Sequence, residues 1–396
     1  MTGTVSQAHA RGPWRRRWVV VIASLAALAV LMAACADDAP SVDEALEDDP
    51  GAEEPGDDAP DDDDPDEPEE AAEEEQELEP ASIRIAFGPS GGLMGPYVYG
   101  AAEGIYAAHG IDLEVEDGAG SLVTAQDVAA GNSDFAMMGA SAMAQGIDEG
   151  MPLVSVGGIW ARPQFGILVP EDEPDIQSFE DMEGRSVIVS PGSPETVMMP
   201  AAFEALGVDQ SEVEVISVDA PAKGSSFVQG LGDTVGTSFP YFRAVFAAQG
   251  VDTDVLLFEE AGVGFPEFHV VTTLDTLEER PEMIERFLRA TYEALEQGYE
   301  DPDGVADALL EARPAVEEEI DAARESFVDH FEFTCTEAME GEPFGYHVES
   351  DWRTGLEVLQ EFGDLTGDIE DLSRYFTNQF HEGDDPVTDL TCPWPS

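Results

Sequence analysis

From residue 83 onward, short apolar runs alternate with stretches of helical period. Residues 83–87 read as a strand, closed by Gly88-Pro89-Ser90-Gly91-Gly92. A helix is predicted over 95–108, because Tyr97, Ala101, Ile105 and Ala108 recur at helical spacing before His109-Gly110. Ile111, Leu113 and Val115 then alternate as a strand, and the loop 118–121 leads into a helix ending near Ala130-Gly131. Strands at 135–138 and 153–158 bracket a helix over 141–149. Strand–helix alternation with short glycine-marked loops predicts a mostly parallel sheet covered by helices.

The pattern restarts after Trp160-Ala161-Arg162-Pro163. Residues 167–169, 186–190, 213–218, 234–237 and 255–258 read as strands, and 194–206 and 241–249 as helices closed by Gly207 and Gly250. After a further strand at 268–273 the chain turns helical. Pro281 stands at a first helical position, and Ile284, Phe287, Leu288, Thr291 and Leu295 share one face. Further helices are predicted at 303–311, 317–331, 352–362 and 372–378. The two α/β units are not repeats of each other in sequence. Open parallel sheets hold ligands beyond the carboxyl ends of their strands, so two such sheets facing each other would enclose a cleft.

Composition changes the picture mainly at the amino terminus. Arg15, Arg16 and Arg17 precede an uncharged apolar run over 18–34, which reads as an export signal. The run ends at Leu31-Met32-Ala33-Ala34-Cys35, similar to a bacterial lipoprotein box, with Met32 standing where leucine is usual; Cys35 would carry the lipid. An uncleaved membrane anchor is the alternative. Residues 36–80 then hold 24 of the 86 acidic residues and none of the 16 basic ones, so 35–80 is expected to be a disordered, self-repelling tether. From Ala81 onward 62 acids still face 12 bases, and Lys223 is the only lysine in the chain. A formal charge of -70 excludes nucleic acid as a partner and suits a salt-loving source, because concentrated salt screens the self-repulsion.

Two cysteines remain, Cys335 and Cys392. In an exported chain they are read as a disulfide, with free thiols or metal ligands as alternatives; His330 and His347 flank Cys335 without zinc-site spacing. The chain shows no G-x-S-x-G elbow, Walker A loop, H-E-x-x-H pair or EF-hand loop, so no enzyme activity and no cofactor is expected.

Several segments, taken in order, resemble one family. Residues 105–115 (IYAAHGIDLEV) are similar to the "G-x-F-x-x-x-G-L-x-V" opening of extracytoplasmic solute-binding proteins of ABC importers. Residues 129–136 (AAGNSDFA), 150–156 (GMPLVSV) and 179–187 (FEDMEGRSV) resemble motifs of the group that binds nitrate, sulfonates, taurine and thiamine-pyrimidine precursors, and Arg280-Pro281-Glu282 and 371–378 fit as well. The resemblance implies an α/β, bilobal periplasmic-binding-protein type II (Venus flytrap) fold with two crossover strands. Lobe one would be 82–163 plus 268–396, lobe two 165–265, with hinges near 160–166 and 265–270. It also implies a lipid-anchored monomer on the outer face of the cell membrane, which hands a small-molecule solute to an ABC permease with a cytoplasmic ATPase. Two other classes stay open: a pyrimidine-synthase-like enzyme, whose cysteine-rich iron motif is missing here, and a receptor-linked sensor lobe.

Cleft residues are sought in loops after strands. The loop holding Ser90 and Gly91, with Tyr97 in the helix behind it, is one candidate. Ser121 and Ser141 follow strands two and three, and they could equally be helix caps. Trp160 and Arg162 at the crossover offer an aromatic wall and an anion partner, or a hinge salt bridge. In lobe two, Ser190, Ser193, Glu195 and Thr196 form a loop in which Ser193 caps a helix starting at Pro194. Glu195 there opposes an anion and could accept a hydrogen bond from a ligand amine. Ser238, Phe239 and Tyr241 could stack on a flat ring, while Phe265 and Phe268 read as hinge packing. This mixture favours a pyrimidine-like heteroaromatic; a sulfonate, nitrate or taurine-type anion is the alternative.

Overall fold

The structure, a computed structural model, describes residues 78–87, 91–191 and 193–395. The expected signal over 1–34, Cys35, the tether up to residue 77 and Ser90 lie outside the described residues. In chain order the elements are β1 (Glu79–Ile85), α1 (Gly91–Ala102), α2 (Ile105–Ala108), β2 (Ile111–Asp117), α3 (Ser121–Ala129), β3 (Phe135–Gly139), α4 (Ala140–Asp148) and β4 (Leu153–Trp160). There follow β5 (Phe165–Pro170), β6 (Ser186–Val189), α5 (Glu195–Leu206), β7 (Glu214–Ser217), α6 (Ala220–Val228), β8 (Thr234–Ser238), α7 (Phe239–Ala248) and β9 (Thr253–Leu257). The chain closes with β10 (Phe268–Thr273), α8 (Leu274–Glu279), α9 (Pro281–Glu300), α10 (Pro302–Ala312), α11 (Ile320–Asp329) and α12 (Glu349–Phe362).

The strands form two five-stranded sheets, of order β2-β1-β3-β10-β4 and β7-β6-β8-β5-β9. In the first, β1 pairs parallel with β2 and β3, and β10 lies antiparallel between β3 and β4. In the second, β6 pairs parallel with β7 and β8, and β5 lies antiparallel between β8 and β9. Each sheet therefore has one reversed strand, and that strand is the one arriving from the other sheet. This is the bilobal α/β fold with two crossover strands.

Local pattern explains most of these elements. In β1, Ala81, Ile83 and Ile85 are buried while Ser82 and Arg84 are half-buried, the alternation of a strand with one face on the core. The strand begins at Glu79, inside the stretch expected to be a tether. The Glu79 carboxylate is paired with Arg280 at 2.8 Å and with Arg286, and the hydrogen bond from Arg280 holds its pKa below the ordinary value. On α9, Ile284, Phe287, Leu288, Thr291 and Leu295 all turn inward as the spacing predicts. β4 lies at the edge of its sheet, yet all eight residues are buried. The carboxyl-terminal chain covers that edge, Ser155 N–H donating to Tyr375 O and Gly158 N–H to Gly345 O, each at 2.9 Å. Cys335 and Cys392 are brought together in this part of the chain, Cα–Cα 5.8 Å.

Two predicted helices differ from the structure. The stretch 95–108 is two helices, because Gly104 takes φ 74° between them and breaks the spacing. Residues 372–378 hold one 3₁₀ turn (Leu372–Arg374), after which Phe376 bridges to Ser155 as part of the edge cover. The helices α6 and α8 have no counterpart in the sequence reading. Along α6, the residues Lys223-Gly224-Ser225-Ser226 supply no apolar stripe from which a helix could be recognised.

Candidate functional site

A cavity of about 730 Å³ lies between the two sheets, at the carboxyl ends of their parallel strands. From the first sheet, Ala86 and Phe87 follow β1, Gly118, Ala119 and Gly120 follow β2, and Phe268 opens β10. From the second, Ser190, Ser193, Pro194 and Glu195 follow β6, and Thr237 and Ser238 end β8. Lys223 of α6, Tyr241 and Phe242 of α7, Phe165 of β5, and Val316, Glu319 and His330 complete most of the wall. The glycine loop after β2 is shaped by crowding. A Cβ at Gly118 would sit 2.6 Å from the Ile85 carbonyl oxygen, and the Gly118 and Gly120 amides donate to Ile85 and Ala86 carbonyls at 2.8 and 2.7 Å.

The strongest chemistry is a buried ion pair. Glu195 opens α5 and is 0% exposed; its Oε1 accepts from the Lys223 ammonium at 2.7 Å. That ammonium also donates to the Gly236 carbonyl at 3.1 Å and lies 5.4 Å from the centroid of the Phe242 ring. The Glu195 side chain rests on β8 where Gly236 leaves room, since a Cβ there would meet Glu195 Cγ at 3.1 Å. Glu195 Oε2 and Ser190 Oγ are buried and have no hydrogen-bond partner among the described residues. A buried polar atom without a partner costs on the order of 1–3 kcal/mol, and a bound molecule can supply the missing bond.

Aromatic rings make up much of the remaining wall. Phe87 and Phe268 meet edge to face at 6.0 Å. The Tyr241 hydroxyl donates to Glu319 Oε2 at 3.3 Å, joining α7 to the turn before α11, and burial beside Glu319 pushes its pKa up to about 12. His330 Nδ1 donates to the Ser326 carbonyl at 2.6 Å, so the neutral ring keeps its lone pair on Nε2, and burial pushes its pKa down to about 4. Among the described residues, no group of three or more His, Cys, Asp or Glu side chains is placed to hold a metal ion.

The structure sorts the residues expected at the ligand. Ser190, Ser193, Glu195 and Tyr241 line the cavity, and Gly91 opens α1 just before the lining residues Gly92 and Leu93. Ser193 is not the helix cap: Pro194 takes that place, and Ser193 Oγ donates back to the Ser190 carbonyl at 2.6 Å. Thr196 is likewise engaged with its own chain, bonding the Ser193 carbonyl at 2.6 Å. Ser121 Oγ accepts from the Gly139 amide at 3.2 Å, and Ser141 Oγ lies near the same glycine; neither lines the cavity.

Four expected contacts lie elsewhere. Tyr97 is wholly buried in the core of the first lobe, where α1 packs on α9 and α10. Trp160 is 0% exposed and stands behind the wall, its ring 5.0 Å from His330 and 6.4 Å from Phe268. Arg162 is held at the crossover by Glu259 at 2.7 Å and by the Phe333 ring at 5.2 Å, the salt-bridge alternative. Phe239 packs on Phe333 at 5.9 Å with the Arg243 guanidinium over it. Conversely Phe268, expected as hinge packing, lines the cavity, whereas Phe265 does pack away from it on Trp352. Lys223, Phe165 and His330 line the cavity but are not among the residues expected at the ligand. The one usable signal was that the only lysine in so acidic a chain is an unusual residue.

Comparison with known proteins places this geometry. The formylaminopyrimidine-binding protein of Halalkalibacterium halodurans is 25% identical over 245 residues, 60% of this chain and 72% of that protein. The riboflavin-binding protein RibY of Chloroflexus aurantiacus is 22% identical over 299 residues, 73% of this chain and 82% of that protein. Among solved structures, the periplasmic aliphatic sulphonate binding protein SsuA of Escherichia coli shares the fold, with TM-score 0.53 and 18% identity over 63% of this chain and 78% of its own. A model of the family described as NMT1/THI5 like matches residues 94–305, more than half of the sequence, and the chain belongs to that family.

Proposed function

We propose that this protein is the extracytoplasmic solute-binding component of an ABC importer, and that its ligand is a planar heteroaromatic with N–H donors on one edge. The observation that carries the ligand class is Glu195 Oε2, a buried acceptor without a partner among the described residues in an aromatic-walled cavity. A sulfonate or nitrate would bring negative charge to a carboxylate, and the only lysine at hand is already bonded to it. The pyrimidine and flavin named for the two relatives both meet the requirement. The volume of about 730 Å³ favours a ligand larger than one pyrimidine ring, so a flavin-sized molecule is the second reading.

A thermal-shift panel tests this. In high salt, formylaminopyrimidine or riboflavin at about 100 times its Kd should stabilise the protein by about 2.7 kcal/mol, while taurine, an alkanesulfonate and nitrate leave Tm unchanged. A rise in Tm with the anions alone would overturn the ligand class.

In the cell the chain is a monomer, exported by the signal over 1–34, anchored through lipidated Cys35 and held off the membrane by the acidic tether. Its partner is a permease with a cytoplasmic ATPase. Export also accounts for a Cys335–Cys392 disulfide, which closes a loop of sequence separation 57. Unreduced peptide mapping should find the two cysteines linked, and Cys335→Ser should cost up to about 4 kcal/mol in the chain-entropy model. Finding both thiols free in protein recovered from the cell surface would remove this part of the reading.

A further inference from the structure

Lys223 lines the cavity, yet its bonds go to the protein. The ammonium donates to Glu195 Oε1 and to the Gly236 carbonyl, with side-chain exposures of 7% for Lys223 and 0% for Glu195. Two charges withdrawn from water this far persist because each compensates the other; either one alone would be strongly unfavourable. An uncompensated buried carboxyl takes up a proton and becomes a donor, whereas a carboxylate only accepts. The pair thus decides what Glu195 Oε2 offers to a ligand. The other titratable groups lining the cavity are engaged differently: Tyr241 bonds Glu319, and His330 bonds the Ser326 carbonyl.

We propose that Lys223 is a positioning residue that holds Glu195 as a hydrogen-bond acceptor facing the cavity, so that the site selects ligand edges carrying N–H donors over edges carrying acceptors alone. The proposal deepens the function above and rests on the reading of Glu195 as the ligand's acceptor. A direct ligand contact by Lys223, or a purely structural role, are the competing outcomes.

The test uses the mature protein with Lys223→Met, Glu195→Gln and the double variant. In ligand-free thermal unfolding, the Tm deficit of Lys223→Met should shrink as pH falls from about 8 to about 5, where a protonated Glu195 needs no counter-charge. The deficit should nearly vanish in the Glu195→Gln background. A deficit of constant size across pH, or one unchanged without Glu195, overturns the proposal. Should Lys223→Met fail to fold, recovery of folding in the double variant supports the proposal, and failure of both overturns it.

Calorimetry with riboflavin and with formylaminopyrimidine supplies the second reading. For whichever binds the wild type, Lys223→Met should weaken binding roughly tenfold or more at about pH 7 and recover part of the loss at about pH 9. Adding Lys223→Met to Glu195→Gln should then cost less than about twofold. A loss that is independent of pH and additive with Glu195→Gln overturns the proposal. Failure of both probes to bind the wild type would remove the proposed ligand class, while the unfolding arm would still decide whether Lys223 holds Glu195.

Discussion

Replacing Trp160 with alanine is expected to cost about 3–5 kcal/mol of folding stability, the range for deleting a large buried aromatic side chain. The indole is 0% exposed, and its contacts are Phe268 and His330, both of which line the cavity. Its N–H is buried without a partner among the described residues, so no hydrogen bond is lost and removing that unsatisfied donor offsets part of the cost of the void. Affinity should fall as well, but indirectly, because the two wall residues lose their backing. Urea titration in high salt should show a lower midpoint at unchanged slope. A variant with wild-type stability and no ligand binding would instead put the indole in contact with the ligand.

Mild acid is the second large lever. His269, His330, His347 and His381 are all buried, and burial pushes His269 and His381 down to about 3, His330 to about 4 and His347 well below the ordinary value. Three of them cluster under the carboxyl-terminal cover: His269 stacks on His347 at 5.0 Å, His347 bonds Ser155 at 3.1 Å, and His381 bonds Tyr292 at 2.9 Å. A group with a depressed folded pKa binds its proton in the unfolded chain first. Stability is therefore complete above about pH 6.5 and falls progressively toward about pH 3–4. Each histidine acts in the same sense, so the loss grows steadily as the pH falls below about 6.5.

Glu267, Asp329 and Asp351 work in the opposite sense, since burial pushes their carboxyl pKa values up and acid relieves them, but they are three groups against four. Urea midpoints at about pH 7.5 and about pH 5 should differ strongly, and His381→Gln should reduce the difference. Equal midpoints at the two pH values would sink the argument.

Both predictions concern residues whose meaning changed between sequence and structure. An exposed crossover aromatic and an aromatic sealed behind the wall have the same neighbours in sequence. Burial is a property of what returns from far along the chain, and for Trp160 that is His330, brought back by the carboxyl-terminal segment. Arg162 shows the same limit: its partners Glu259 and Phe333 lie 97 and 171 positions away. The loop after β6 was legible because the end of one parallel strand sets its place in space. Ser190, Ser193 and Glu195 reach the cavity from one strand end and the first turn of one helix, as a parallel strand requires. Even there, the bond directions of Ser193 depended on Pro194 taking the cap position.

By itself the sequence determined the alternation of strands and helices, the restart after Pro163, the acidic balance and the motifs shared with solute-binding proteins. These are set within short windows by periodicity, glycine placement and charge, so they need no knowledge of distant contacts. Tertiary structure alone decided which strand is reversed in each sheet, which aromatics face the cavity, and where the single lysine goes. Lys223 sits on a helix without an apolar stripe, 28 positions from its partner, and only the pairing of β6 with β8 and the gap left by Gly236 bring its ammonium to Glu195. A buried charge must find its counter-charge in space, and sequence spacing does not record where that is.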